Sequence, residues 1–263
     1  MNTYAVKRIL LPALFVVVLG VAAVSADHFP SIPADGFEIQ GHSRFFYYRD
    51  EISTMVEYIG RFEEPDLDFG YQSLTLGGYY RLHENVKAGA FYRVQAGARH
   101  DDDWVDTSPG WEWTDTSDRF EHLAILDLTP RFLVEFLPGA NWVAAVKNRY
   151  AYNFFNGQQT LLVRPGLTWF WVVDREPVLN VSAQYATYFS LNFGDRAWYQ
   201  HGPYLNVLYH VLPWLQIDAS VAYQAVYWSE SADFRASHPN ESYPSNVYRP
   251  WTLDLGAIVT LRN

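Results

Sequence analysis

The chain has no cysteine among its 263 residues. That excludes disulfides, thiolate catalysis and any cysteine-based zinc framework. Basic residues are scarce too: 19 Lys and Arg stand against 29 Asp and Glu, for a net charge of -10. Nucleic-acid binding needs a clustered basic face, which this balance argues against. Beyond the first thirty residues there is no run of about 18 apolar residues, so no membrane-crossing helix is expected. A membrane β-barrel shows no such run either, because only alternate residues of its strands face lipid.

The start of the chain is different. Lys7 and Arg8 precede an apolar stretch over 9–23, and Val24 and Ala26 supply small residues before a cleavage point. This is the plan of a secretory signal peptide. We therefore expect a cleaved segment over 1–26 and one mature domain over 27–263, exported from the cytoplasm.

The rest is rich in aromatic residues, which make up 17% of the chain, and it alternates with period two. Over 178–192, Leu179, Val181, Ala183, Tyr185, Thr187, Phe189 and Leu191 oppose Asn180, Ser182, Gln184, Tyr188, Ser190 and Asn192. The stretches 215–228 and 251–262 repeat the pattern. Strict alternation is the signature of strands with one apolar and one polar face. Alternation and turn residues predict about ten strands, near 37–48, 67–82, 86–99, 119–137, 141–155, 158–173, 178–191, 196–212, 214–229 and 247–262. Most exceed the roughly 9–11 residues that a tilted strand needs to cross a bilayer.

Tight turns at 83–85, 138–141, 174–177 and 212–215 alternate with connections that include three long polar ones near 49–66, 100–118 and 230–246. Short turns at one end and long loops at the other follow the plan of a bacterial outer-membrane barrel. An even strand count would put both termini in the periplasm. Trp142, Trp169, Trp171, Trp214 and Trp251 lie near strand ends, as interfacial aromatic girdles require.

The polar faces carry charges at mid-strand. Arg44, Arg81, Lys87, Arg93, Arg131, Lys147, Arg149, Arg164 and Arg262 would point into the lumen, with Glu38, Glu121, Asp127, Glu135, Asp218 and Asp254 opposing them. Arg44, Arg93, Arg131, Arg149 and Arg164 are the candidate lumen-binding residues. They imply either a narrow, weakly anion-preferring pore or a plug of ion pairs. Ten strands make a narrow barrel, which favours the plug. His42, His122 and His210 read as packing or girdle residues, and no metal-ligand spacing occurs.

The stretch 99–122, RHDDDWVDTSPGWEWTDTSDRFEH, is the most acidic in the chain. As the second long-side loop of a ten-stranded barrel, the run of Asp101, Asp102, Asp103, Trp104, Val105, Asp106, Thr107 and Ser108 resembles the second-loop segment of the omptins, outer-membrane proteases. Pro109, Gly110, Trp113, Thr114, Asp115 and Ser117 continue the likeness, which covers about twenty residues. It implies a catalytic pair, Asp101 and Asp103, working with an Asp–His pair from the fourth loop. There this chain offers Asp195 and His201, six apart where the family has two. A calcium loop fits poorly, because Asp106 stands where the sharp turn needs glycine.

The expectation is an all-β, antiparallel transmembrane barrel in the bacterial outer membrane, in contact with lipid and lipopolysaccharide. It would act as a structural barrel or a narrow pore for small solutes. The alternative is an omptin-like endopeptidase acting on basic peptides, which an acidic rim would attract. No cofactor and no nucleic acid are expected.

Overall fold

The computed structural model describes residues 35–63, 68–98, 104–107, 110–113, 120–137, 141–193, 196–228, 236 and 246–263. The expected signal segment, 1–26, lies outside them. The first four strands are β1 (Asp35–Arg49), β2 (Ile52–Glu63), β3 (Asp68–His83) and β4 (Val86–Ala96). A separate small hairpin, β5 (Trp104–Thr107) and β6 (Gly110–Trp113), follows within the acidic stretch. The sheet resumes with β7 (Glu121–Leu133), β8 (Trp142–Asn153), β9 (Gln159–Val173), β10 (Glu176–Ser190) and β11 (Trp198–Leu212). It ends with β12 (Leu215–Tyr223), β13 (Ala225–Trp228) and β14 (Asn246–Arg262).

Neighbouring strands pair antiparallel around the sheet, and β1 pairs with β14 to close it. Because β12 and β13 are two lengths of one stave, interrupted at Gln224, the closed barrel has eleven staves. The count of ten was therefore one short. An odd number forces one parallel pair, and it falls at the closure, from Asp35 opposite Arg249 to Tyr48 opposite Arg262. It also places the start of β1 at the long-loop end and the end of β14 at the tight-turn end. The expectation that both termini share one side is overturned.

The stave that was missed is β2, in the stretch read as the first long loop. Its outward face carries Ile52, Val56, Tyr58 and Phe62. Its inward face carries Met55 and Ile59 beside Ser53, Glu57 and Arg61. Apolar residues on both faces blur the alternation, and the acidic residues around them read as a rim. The real connection from β1 is the tight turn at Asp50 and Glu51, where Asp50 takes a positive φ of 52°. At the equivalent turn between β9 and β10, Asp174 and Arg175 have φ of 50° and 69°, the left-handed pair that matches strand twist in a two-residue hairpin.

Large apolar side chains are exposed on the outside: Leu126 at 57%, Leu205 at 54%, Leu255 at 48%. Water-soluble domains seldom leave a contiguous apolar surface of this kind. Trp142 and Trp169 lie 6.5 Å apart at the tight-turn end, and Tyr223 and Trp251 lie 4.8 Å apart at the long-loop end. The buried core is inside the barrel, where Met55, Phe91 and Ile125 pack against Phe46, Tyr79 and Leu123.

Candidate functional site: the lumen and its vestibule

Inward-pointing side chains meet at mid-depth. His42 on β1 faces Gly256 across the parallel seam. Its imidazole occupies the space a Cβ at 256 would need, 2.2 Å from Nε2, so the seam requires glycine there. Nδ1 lies 2.7 Å from Asp254 Oδ1 on β14, and Nε2 lies 3.3 Å from Asp218 Oδ2 on β12. Arg44, one inward position along β1, reaches Asp218 at 3.6 Å and forms an ion pair with Glu57 on β2. Glu57 also faces Arg93 Nη2 on β4 at 3.7 Å, and Arg93 Nε donates to Thr75 on β3 at 2.9 Å.

A second group sits on the far wall. Arg149 on β8 donates to Asp127 on β7 from Nε and Nη2, at 2.7 and 2.9 Å. Lys147 approaches the same carboxylate at 3.5 Å, and the Tyr79 hydroxyl donates to it at 3.3 Å. Arg164 on β9, paired in register with Lys147, lies over the Tyr204 ring of β11 at 5.6 Å. Glu57, Asp127 and Asp218 are all buried. Ionised groups buried this deeply persist only when paired and hydrogen-bonded. Together these groups form an ionic collar around the lumen, with the Met55–Phe91–Ile125 cluster beside it.

Above the collar, toward the long loops, a cavity of about 350 Å³ is bounded by Arg61, Arg93, Arg149, Tyr188, Gln200 and Tyr248, among others. A smaller space of about 150 Å³ continues beside it toward Asp254 and Ser220.

Of the five arginines read as lumen residues, Arg44, Arg93, Arg149 and Arg164 stand within the lumen. Arg131 has the inward parity but sits exposed at the tight-turn mouth, with Nη2 3.4 Å from the Glu84 carbonyl oxygen. Glu57 lies in the stretch 49–66 expected as a long polar connection; on β2 it is the centre of the collar. His42, read as packing, hydrogen-bonds to Asp254 and lies 3.3 Å from Asp218, joining β1 to β14 and β12. His122 is exposed at the start of β7 and stacks on Tyr92 at 5.8 Å.

Asp101, Asp103 and Asp195 lie outside the described residues. His201 is on the outward face of β11, stacked between Tyr185 and Tyr227, with their hydroxyls 2.7 and 3.2 Å from its Nδ1 and Nε2. Among the described residues, no group of His, Asp or Glu side chains is arranged to hold a metal. No family model matches the chain, and no curated protein matches it.

Proposed function

We propose that the chain is a bacterial outer-membrane barrel with a lumen closed at mid-depth: a structural barrel with a blind vestibule, not an open pore. The exposed apolar belt and its aromatic bands support the lipid setting. The ionic collar carries the closed reading. Glu57, Asp127, Phe91 and Ile125 all point inward and are among the most buried side chains of the molecule. Barrels of this width have interiors that side chains can fill.

Single-channel recording of the refolded chain in planar bilayers tests this. The wild type is expected to give no steady current, and the double variant Arg44→Ala, Glu57→Ala is expected to give intermittent openings. A stable ohmic current from the wild type would sink the closed reading. Recovery of the chain in a fraction other than the outer membrane would sink the lipid setting.

A further inference from the structure

The vestibule's charge runs against that of the chain. The whole chain carries -10, yet among the described residues the cavity wall presents Arg61, Arg93 and Arg149 against a single carboxylate, Glu38. Glu38 is already engaged: the Tyr248 and Thr252 hydroxyls donate to it, each at 3.2 Å, and Arg61 Nη1 lies at 3.8 Å. Arg93 and Arg149 turn one edge of the guanidinium down into the collar, toward Glu57 and Asp127. Both side chains also line the cavity and stay 16% and 19% exposed. A guanidinium held along one edge presents the other as a rigid pair of donors, which suits an oxyanion.

The facing wall has a different chemistry. Tyr188 on β10 and Tyr199 on β11 have ring centroids 6.1 Å apart, and Phe193 continues the surface at 5.4 Å from Tyr199. Near them the Gln200 amide donates to Gln224, which donates in turn to the Tyr204 hydroxyl. Cationic donors on β2, β4 and β8 thus face the rings of β10 and β11 and the Gln200 and Gln224 amides across one cavity. A ligand site is usually a concave pocket of about 300–1,000 Å³ with a few convergent polar groups. The vestibule lies at the small end of that range.

We propose that the vestibule binds a small organic anion: a carboxylate or phosphate monoester on a ring-shaped body about the size of one sugar unit. The oxyanion meets Arg93 and Arg149, and the body lies against Tyr188 and Tyr199. The proposal depends on this lining and not on whether the barrel conducts. Current through the wild type would therefore leave it standing, and failure to bind would leave the closed lumen standing.

Calorimetric titration of the detergent-refolded barrel decides it, with D-glucuronate, glucose 6-phosphate and uncharged glucose as probes. At least one anion is expected to bind saturably, with glucose weaker by about tenfold or more, the scale of one charge-assisted contact. Preference for glucuronate or for the phosphate ester tells the two oxyanion sources apart. Arg93→Gln is expected to weaken the anion by about tenfold. Tyr188→Leu, which leaves the ionic collar untouched, is expected to weaken both sugar anions and to spare inorganic phosphate. If Arg93→Gln does not fold, rising chloride should weaken the anion in the wild type and leave glucose unchanged. No saturable heat from a folded barrel, equal binding of glucose, or binding indifferent to both Arg93→Gln and chloride would overturn the proposal.

Discussion

The seam where β1 meets β14 and the wall across the lumen, built by β7 and β8, are held in different ways. At the far wall the strands are antiparallel sequence neighbours, and apolar side chains do much of the filling: Ile125 and Phe91 pack with Met55, and one carboxylate, Asp127, is forked by Arg149. At the seam no hairpin brings the strands together. Their pairing is parallel, which is slightly weaker per residue, and forming it closes a loop of nearly the whole chain. There the cross-links are polar and directional. His42 spans Asp254 and Asp218, Arg44 spans Asp218 and Glu57, and Glu38 accepts from Tyr248 and Thr252. Connectivity sets the register of a hairpin. Where it is missing, buried charges that fit in one register only take over that task.

Breaking the seam is the strongest test of that contrast. Asp218→Ala strips a carboxylate from both His42 and Arg44 and should cost about 3–5 kcal/mol, the usual loss when one partner of a buried ion pair is removed. Urea unfolding in micelles would measure it, and crosslinking of cysteines placed at Gly41 and Leu255 would report whether the seam keeps its register. At the far wall Ile125→Ala should cost about 3 kcal/mol as a cavity, with the register of the seam unchanged. A register change in this variant, and none in Asp218→Ala, would reverse the argument. Ile125→Val sharpens it: about 1 kcal/mol, with the same unfolding slope. The smallest effect belongs to the outer surface. His201→Phe removes contacts to Tyr185 and Tyr227 outside the lumen, so it should change stability by less than about 1 kcal/mol and leave anion binding unaltered in the same titration.

Strands with an apolar outer face and a polar inner face were legible in the sequence. The alternation over β10, β12 and β14 gave both their existence and their facing, and the same parity placed Arg44, Arg93, Arg149 and Arg164 inside. It failed at β2, where the inward Met55 and Ile59 serve the lumen core and make both faces look alike. With β2 went Glu57, the carboxylate that two of those arginines share. Parity gives a side and not a depth, so Arg131 was placed with residues of the mid-lumen when it lies at the mouth. The role of His42 was hidden because its partners stand 176 and 212 positions away in sequence, and only the closure brings them to one imidazole. The vestibule was invisible for the same reason, since its two walls come from strands that share no turn.

The odd number of staves has a consequence for rearranging the chain. Most compact domains can be circularly permuted, because their ends lie close together. Here the two paired end strands run in the same direction, so the beginning of one lies a full strand length from the end of the other. With 15 residues in β1, a linker joining old ends would have to travel about 50 Å along the strand direction. It would also have to pass either through the lumen or down the apolar outer face. This barrel has one order in which its strands can be written, and the point where the chain opens is fixed by its architecture.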